Sequence, residues 1–563
     1  MPFKSSQPDI KLPRDITIWK WLFDFPHSPL NSISPSQVAG FTNASTLERI
    51  SYSAVKTHTI HLSTALVKHY NLTKGDVVAL FSPNTIWYPV AMLGVTRVAG
   101  IVSGASPAYN VEEMTYALKT SRARFLMTVP GSMKVARAAA EKAGIKRENV
   151  FLLEGEMQGY TTMKELLELG RKEGKGGQVE PYELVKSKKE TNFNLCAFLS
   201  FSSGTTGLPK AVMIAHQNVI AQCLQIQQIT PSSHKKILAV LPSFHITGLV
   251  HALHLPILLN AEVYMLPAFT MKSMLNTVVK FQIGELLLVP PILIRMVRDP
   301  IVKEYDLSCI TRFSSGAAPL SAEILKDLEV AFPKTGFKQG YGMTESCSCI
   351  TAHPPEKYSY KYAHMVGSIC ASTEVKILND DGKELGIGEP GELLAKGPQI
   401  VMGYLNNEEA TKHTFDKDGF LHTGDQAMID ADGMVTITDR IKEMIKVKGI
   451  GVAPAELEDL LLGHPEVEDC AVLGIEDEYS GEKPKAFIVL KKNGDEEGKG
   501  RVLLSYVREK KVRHKWLKEV EFVEVIPKSA SGKILRRLLK GQGKRVGTSG
   551  FVVREKVGER VKL

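Results

Sequence analysis

The chain has 563 residues, 44% hydrophobic and 23% charged, the balance of an ordinary globular protein and more than one core normally holds, so at least two domains are expected. Seven cysteines, odd in number and scattered apart from Cys347 and Cys349, argue against a disulfide framework or a zinc site and for a reducing compartment. Most of the net charge of +9 falls in the last 28 residues, where nine basic residues face two acidic ones, so the body of the chain offers no basic face for nucleic acid.

In chain order, the opening Met1-Pro2-Phe3-Lys4 lacks the apolar core of a secretory signal. Strand-length apolar runs then alternate with helical stretches: a strand over 76–81, a helix over 87–98, a strand over 125–129 and a helix over 132–143, which predicts α/β layers. The Lys-, Glu- and Gly-rich stretch 170–189 is expected to be an exposed excursion. After it, 195–201 reads as a buried strand. The longest uncharged apolar run, 249–259, is too short for a membrane span and holds His251, His254 and Pro256. From 375 to 420 the texture shifts to short strands with Asp-Gly and Pro-Gly turns, a β-rich unit. Beyond 442 a helix (454–462), two strands (470–474, 485–490) and a further helix (501–510) make a compact α+β ending. A domain boundary is placed at 439–442, and the basic end, 541–563, is expected to be flexible.

The strand at 195–201 feeds Ser202-Ser203-Gly204-Thr205-Thr206-Gly207-Leu208-Pro209-Lys210. Glycines let a backbone wrap an anion with its N–H groups turned inward, hydroxyls add donors, and Lys210 adds a mobile positive charge. It departs from the Walker pattern, because Lys210 is followed by Ala211 and not by Ser or Thr. Further along, Gly316-Ala317-Ala318-Pro319-Leu320 could press backbone against a flat ring. Gly340-Tyr341-Gly342-Met343-Thr344-Glu345 sets an aromatic face, a hydroxyl and a carboxylate on one short loop, fit for a base, a phosphate and Mg²⁺. His422-Thr423-Gly424-Asp425 offers a carboxylate to the two hydroxyls of a ribose, and Lys533 follows a glycine on an exposed loop. Taken singly, each also reads as a tight turn, a helix N-terminal charge or a solvated lysine.

In this order and spacing the segments resemble the adenylate-forming superfamily: acyl-CoA synthetases, aryl-CoA ligases, luciferases and peptide-synthetase adenylation domains. The resemblance runs from about residue 40 to 540 and extends to Pro83-Asn84-Thr85-Ile86-Trp87-Tyr88-Pro89 and Gly403-Tyr404-Leu405-Asn406-Asn407. It implies a large N-terminal domain of layered α/β subdomains plus a β-rich subdomain (1–438), a hinge (439–442) and a small mobile α+β C-terminal domain (443–540). It also implies ATP, Mg²⁺ and CoA. A carboxylate attacks the α-phosphate of ATP to give an acyl adenylate and pyrophosphate, and a thiol then displaces AMP. Because the substrates supply the nucleophiles, the protein mainly positions and neutralises.

By the same resemblance, 202–210 would hold the β- and γ-phosphates, with Ser202, Ser203, Gly204, Thr205, Thr206, Gly207 and Lys210 as its contacts. Thr344 would hold the α-phosphate, and Glu345, with Thr205, the Mg²⁺. Gly316, Ala317, Ala318, Gly340, Tyr341 and Gly342 would frame adenine, while Asp425 and Arg440 would bind ribose. Lys533 would bridge the attacking carboxylate and the α-phosphate, and His245 would orient the carboxylate at the mouth of an acid pocket. That pocket would be lined by Thr247, Ser314, Ser315, the turn at 289–291 and residues 347–350. A swing about Lys442 would withdraw Lys533 and present Lys446, Lys448 and Gly449 for thioester formation.

Two departures stand out: Ala211 where many relatives have glycine, and Gly451 where many have glutamine. Ser314 replaces a lysine that hydroxycinnamate ligases direct at the ring hydroxyl. No aspartate follows Phe244-His245 to pair with an amino acid's ammonium, which disfavours amino acids. The runs Arg513-His514-Lys515-Trp516-Leu517 and Val452-Ala453-Pro454-Ala455-Glu456-Leu457 resemble fungal phenylacetyl-CoA ligases, so an aryl or medium-chain acid is expected. Loading of a carrier protein, a luciferase-like oxygenation and a silent nucleotide-binding protein remain alternatives. Val561-Lys562-Leu563 resembles a peroxisomal address with valine in place of a small residue, so a peroxisomal import receptor is a candidate partner. The compartment expected is the peroxisome or the cytoplasm.

Overall fold

The computed structural model describes residues 2–24, 26–202, 209–316, 320, 322–441, 443–448, 450–477, 480–492, 494–529, 532–539 and 548–554. Its centre is an eight-stranded sheet whose middle is Val77–Phe81, flanked in parallel by Ile101–Ala105 and Ala123–Thr128. All five residues of Val77–Phe81 are buried, as a parallel strand covered on both faces requires. Helices Tyr52–Tyr70 and Tyr88–Arg97 supply part of that cover, and their buried side chains join one apolar cluster with the sheet. On one side the sheet continues through Cys196–Ser202, Lys210–Ala215 and the short edge strand Gly403–Tyr404.

Two smaller sheets stack beside it. One pairs Lys236–Ala239, Glu262–Met265, Gly40–Asn43 and Arg49–Ser51; the other runs Glu285–Leu288, Arg312–Ser315 and Gly336–Met343 in parallel, then turns antiparallel through Ser348–Ala352 and Ser368–Ile369. The β-rich part is an all-antiparallel sheet of Phe3–Lys4, Glu374–Leu378, Gly391–Lys396, Leu421–Ile429 and Val435–Arg440. Within it, Leu421–Ile429 alternates buried and partly exposed residues along its whole length, the pattern of a strand with one sealed face. The chain leaves this sheet at Arg440 and enters the last one at Ile445. There Gly481–Leu490 pairs with Val467–Asp477 and Glu519–Val523 beneath helices Pro454–Leu462 and Glu496–Lys510. The architecture is thus α/β, with a large layered N-terminal part and a small α+β C-terminal part.

Two sequence expectations are corrected. The stretch 170–189 is exposed or partly exposed beyond Gly170, as expected, and is tied to the body of the fold. Gly170 ends a buried face of helix Met163–Lys172, Glu173 pairs with Lys68 and His69, and Tyr182 donates its N–H to Arg97 O. Its polar composition masks this because the contacts are themselves polar. The tail expected to be flexible carries the strand Thr548–Arg554, antiparallel to Glu519–Val523, a pairing set by a distant partner and not by local pattern. The β-rich span also contains a helix, Glu408–Thr414, capped by Asn407.

Gly170 has a packing reason: a Cβ there would lie 1.8 Å from the carbonyl oxygen of His61 in the facing helix. Gly170→Ala is therefore expected to lower stability by about 1–3 kcal/mol through overpacking. Gly176→Ala, where nothing lies within 4 Å, should leave it unchanged. Denaturant midpoints of the two variants compared with the unaltered chain check this.

Candidate active site

Strands Cys196–Ser202 and Lys210–Ala215 pair antiparallel with Ser202 opposite Lys210. Ser203, Gly204, Thr205, Thr206 and Gly207 lie outside the described residues. The Lys210 ammonium sits 4.9 Å from the centre of the Tyr404 ring, and the Tyr404 hydroxyl donates to Glu345 Oε1 at 2.8 Å. Tyr404 comes from the edge strand beside Lys210–Ala215, and Val401 N–H donates to Glu345 O. The sheet edge therefore brings cation, ring and buried carboxylate into one line. A cleft of about 550 Å³ opens beside Lys210, lined also by Tyr116, Lys119, Arg122 and Asn406, so its walls are cationic and polar.

Across from this, Gly316 and Gly340 approach closely: a Cβ on Gly316 would lie 3.6 Å from Gly340 O. Gly342 tolerates no side chain, because a Cβ would fall 1.6 Å from Ser348 O. Between them Tyr341 donates its hydroxyl to Asp425 Oδ2 at 2.7 Å, and Asp425 Oδ1 lies 3.3 Å from Arg440 Nε. Asp425 and Arg440 are cross-strand partners in the β-rich sheet. Burial raises the Asp425 carboxyl above its usual range, against the pull of Arg440 and Tyr341; burial and Asp425 push the Tyr341 phenol well up. Thr344 opens a short 3₁₀ turn, Thr344–Ser346, after which Cys347 and Ser348 have φ of 49° and 103°. Two successive non-glycine residues in the left-handed region are strain of a kind that collects at functional sites.

The C-terminal part contributes Lys533. The 528–534 loop closes on itself through Ser529 N–H to Lys533 O and Gly532 N–H to Ser529 O. Gly532 has φ of 82°, and a Cβ there would lie 3.1 Å from Pro291 Cδ, so the loop tip is pressed against the turn at 289–291. Burial, then repulsion from Arg440, drive the Lys533 amine down to about 8, against the attraction of Glu443, Asp425 and Glu345. The loop is steadied by Arg536, which bridges Glu443 and Glu458 at 2.7 and 2.6 Å and donates to Val472 O.

The sequence profile of the AMP-binding enzyme family matches residues 35–405, and that of the AMP-binding enzyme C-terminal domain matches 456–533. The chain belongs to the AMP-binding enzyme family. It is 35% identical to 4-coumarate--CoA ligase-like 1 of Arabidopsis thaliana over 96% of both chains. To Peroxisomal OPC-8:0-CoA ligase 1 of the same plant it is 36% identical over 83% of this chain and 84% of that one. The o-succinylbenzoate coenzyme A synthetase of Bacillus subtilis, solved with ATP and magnesium ion, shares the fold with a TM-score of 0.76 at 23% identity, covering 93% of this chain and 100% of that one. As an AMP-binding enzyme the protein is a member of the AMP-forming acid–CoA ligases.

Within this AMP-binding enzyme the structure gathers Lys210, Gly316, Gly340, Tyr341, Gly342, Glu345, Asp425, Arg440 and Lys533 into linked contacts or one electrostatic field. Ala317 and Ala318 lie outside the described residues, as do Lys442 and Gly449. His245 follows Phe244, for which the missing Cβ of the central sheet's Gly104 makes room. Burial lowers its imidazole to about 4, so it is neutral near pH 7. Ser314 and Ser315 alternate across one strand and so point to opposite faces of it. Ser314 donates to Glu285 Oε1 at 2.7 Å, while Ser315 faces the side of Phe313 and Phe337. Lys446 and Lys448 are exposed at the edge of the C-terminal sheet. A side chain at Gly451 would meet only the end of Met444, so space does not explain the absent glutamine. Sequence reasoning passed over Tyr404 as a structural stretch; its place beside a lysine-bearing strand carries no local signal.

Lys533 is expected to lose its proton with a midpoint near 8, below the 10.5 of an ordinary lysine. Arg440→Met should raise that midpoint, since it removes a repelling cation. Mass-spectrometric readout of Lys533 reductive methylation across pH checks both; an ordinary lysine midpoint in the unaltered protein contradicts the buried placement.

Proposed function

We propose that the protein is an ATP-dependent acid–CoA ligase that converts an aryl or medium-chain carboxylic acid to its acyl adenylate and then to the CoA thioester. The observation that carries this reading is a lysine from the 528–534 loop of the C-terminal part, Lys533, half-buried in the field of Arg440, Asp425 and Glu345. In the first step a carboxylate oxygen bonds the α-phosphorus of ATP, and the bond to the β-phosphate oxygen breaks, with its electron pair leaving on pyrophosphate. Two anions must meet for this, and Lys533 offsets their repulsion when it is protonated. A bound acid and ATP favour that protonated form, because both bring negative charge to an amine that burial has made easy to discharge.

Lys210 and the 202–209 connection hold the departing pyrophosphate. Thr344 contacts the α-phosphate. Asp425, already gripped by Arg440, accepts the ribose hydroxyls, and Tyr341 with Gly316, Ala317, Ala318, Gly340 and Gly342 frames the base. Glu345, with Thr205, is the protein's share of a Mg²⁺ site; among the described residues no cluster of three metal-ligating side chains exists. One carboxylate completed by phosphate oxygens and water is how Mg²⁺ is commonly held, and the ion neutralises phosphate charge. Neutral His245 borders the acid's carboxylate, with Thr247 behind it.

In the second step the thiolate of CoA attacks the carbonyl carbon of the mixed anhydride, and AMP leaves. Lys533 withdraws for this as the C-terminal part turns about 439–442, and Lys446, Lys448 and Gly449 approach with CoA. No helix among the described residues is long and apolar enough to cross a membrane. The three terminal residues read as a peroxisomal address lie outside the described residues; a relative named as peroxisomal supports that compartment.

Lys533→Ala is expected to slow acid-dependent pyrophosphate release at least about a hundredfold, the order of loss on removing a transition-state charge contact, while a supplied acyl adenylate still reacts with CoA at near the normal rate. Single-turnover assays of each half-reaction separate the two. Equal loss of both sinks the assigned role, and absence of AMP release across phenylacetic, cinnamic, benzoic and medium-chain acids sinks the ligase reading.

A further inference from the structure

The basic end of the chain returns to the strand it left. Glu519–Val523 leads out of the last sheet into the 528–534 loop, and Thr548–Arg554 runs back antiparallel along that same strand, with Thr548 opposite Val523 and Arg554 opposite Glu519. The segment that carries Lys533 is therefore tied at both ends to one strand pair, at the end of the pair nearest the loop. Strands paired this way stand about 5 Å apart, so neither end of the segment moves without the other.

A gap in the helix above fixes where the returning strand lies. Val553 is 4% exposed, stands opposite Val520 and belongs to the apolar cluster of the C-terminal part. The residue that faces it from helix Glu496–Lys510 is Gly500, where a Cβ would fall 2.5 Å from Val553 Cγ2 and 2.7 Å from Val553 Cβ. A rotamer change cannot move a Cβ atom, so a side chain at 500 displaces the strand itself. Glycine in mid-helix is otherwise less favourable than alanine, and here the strand it admits offsets that. On the sheet's other side Arg554 Nε lies 3.2 Å from Glu519 Oε2, the carboxylate that shares Lys485 with Glu521. The tail thus brings an exposed second cation to two buried carboxylates.

What the strand secures has little stability of its own. Between Lys533 and the strand, the chain forms among the described residues only the four-residue helix Arg536–Leu539, far below the length at which a helix persists unaided. Ile534 and Leu539 pack half-buried against Ala471, Leu473, Phe487 and Val523, and Arg536 supplies the ion pairs to Glu443 and Glu458. Beside Lys533, Gly532 meets Pro291 of the N-terminal part. Resting on the ligase reading, we propose that Thr548–Arg554 is a positioning element of the adenylate-forming step: seated at Gly500 through Val553, it keeps Arg536 and Leu539 in place and, through them, the reach of Lys533 to the reacting phosphate. Thioester formation, for which Lys533 withdraws, does not need it.

The test detaches the strand in three ways: Gly500→Ala and Val553→Asp in the full chain, and removal of residues 540–563. Each is read in single-turnover assays of both half-reactions and in the pH profile of Lys533 methylation. Acid-dependent pyrophosphate release is expected to slow at least about tenfold in all three, since misplacing a reacting group by an ångström costs up to about a hundredfold. A supplied acyl adenylate should still react with CoA at the normal rate. The Lys533 midpoint should rise from about 8 toward the 10.5 of an ordinary lysine, because a loosened loop regains water. In the shortened chain Gly500→Ala should slow pyrophosphate release no further, since the atoms it meets are gone. Normal pyrophosphate release in any of the three overturns the proposal and leaves the ligase reading intact. Equal loss of both half-reactions also overturns it, because the strand then serves only the folding of the C-terminal part. No AMP release by the unaltered chain with any acid refutes the ligase reading itself, and the Lys533 midpoint still reports whether the strand holds the loop.

Discussion

Everything at this site hangs on one buried carboxylate. Asp425 is 4% exposed, and a charge taken that far out of water is tolerated only when its lone pairs are met. Tyr341 meets one oxygen from the sheet that bears the glycine-rich turn, and Arg440 meets the other from the neighbouring strand of the β-rich sheet. The chain of charge runs on, through Glu443 beside Arg440 to Arg536 and Glu458 in the C-terminal part. Three sheets of different origin are thus registered by one series of ion pairs, and Lys533 is held inside it. Removing one partner of such a pair costs more than the pair itself contributes, because the other is left buried and alone.

That same network explains why the lysine is unusual. An ammonium brought close to Arg440 in a water-poor cleft loses much of the advantage of its charge, and its proton is held loosely. The negative groups nearby, Glu443, Asp425 and Glu345, only partly restore it.

How much of this could be read from the sequence follows from the range of the interactions. The strand Val77–Phe81 is an unbroken apolar run, and the helix Pro454–Leu462 opens on a proline at its first turn, so local pattern suffices for both. The turn at 340–345 was legible because glycine marks it: a Cβ at Gly342 would fall on the Ser348 carbonyl oxygen. The polar face under the site was not. A lone Glu285 or Lys338 at alternate positions of a strand reads identically whether it points to solvent or into an enclosed region, and only the helix laid over it decides. Ser314 and Ser315 are the same case: they lie on opposite faces of one strand, and nothing local tells the two faces apart. The Thr548–Arg554 strand depends on Glu519–Val523 for its register, and a basic, glycine-bearing tail shows nothing of that locally.

The junction between the two parts bears on whether Lys533 can leave. Among the described residues no apolar cluster spans it: one set of clusters ends by Ile437 and the other begins at Ile445. What crosses is polar or small. Arg298 donates to Leu462 O and Glu468 O, Ala322 N–H donates to Asp459, and the Gly532 turn rests on Pro291. Hydrogen bonds of this kind exchange for water at modest net cost, about 0.5–1.5 kcal/mol each, whereas parting a shared core would expose apolar area outright. A C-terminal part with its own core and a polar seam can turn as a unit about a short connection without unfolding either side. The loop that carries Lys533 is then held by a few polar contacts and by the field of Glu443, Asp425 and Glu345, and under the proposed chemistry the first step would change the charge at that site, because pyrophosphate would carry negative charge away.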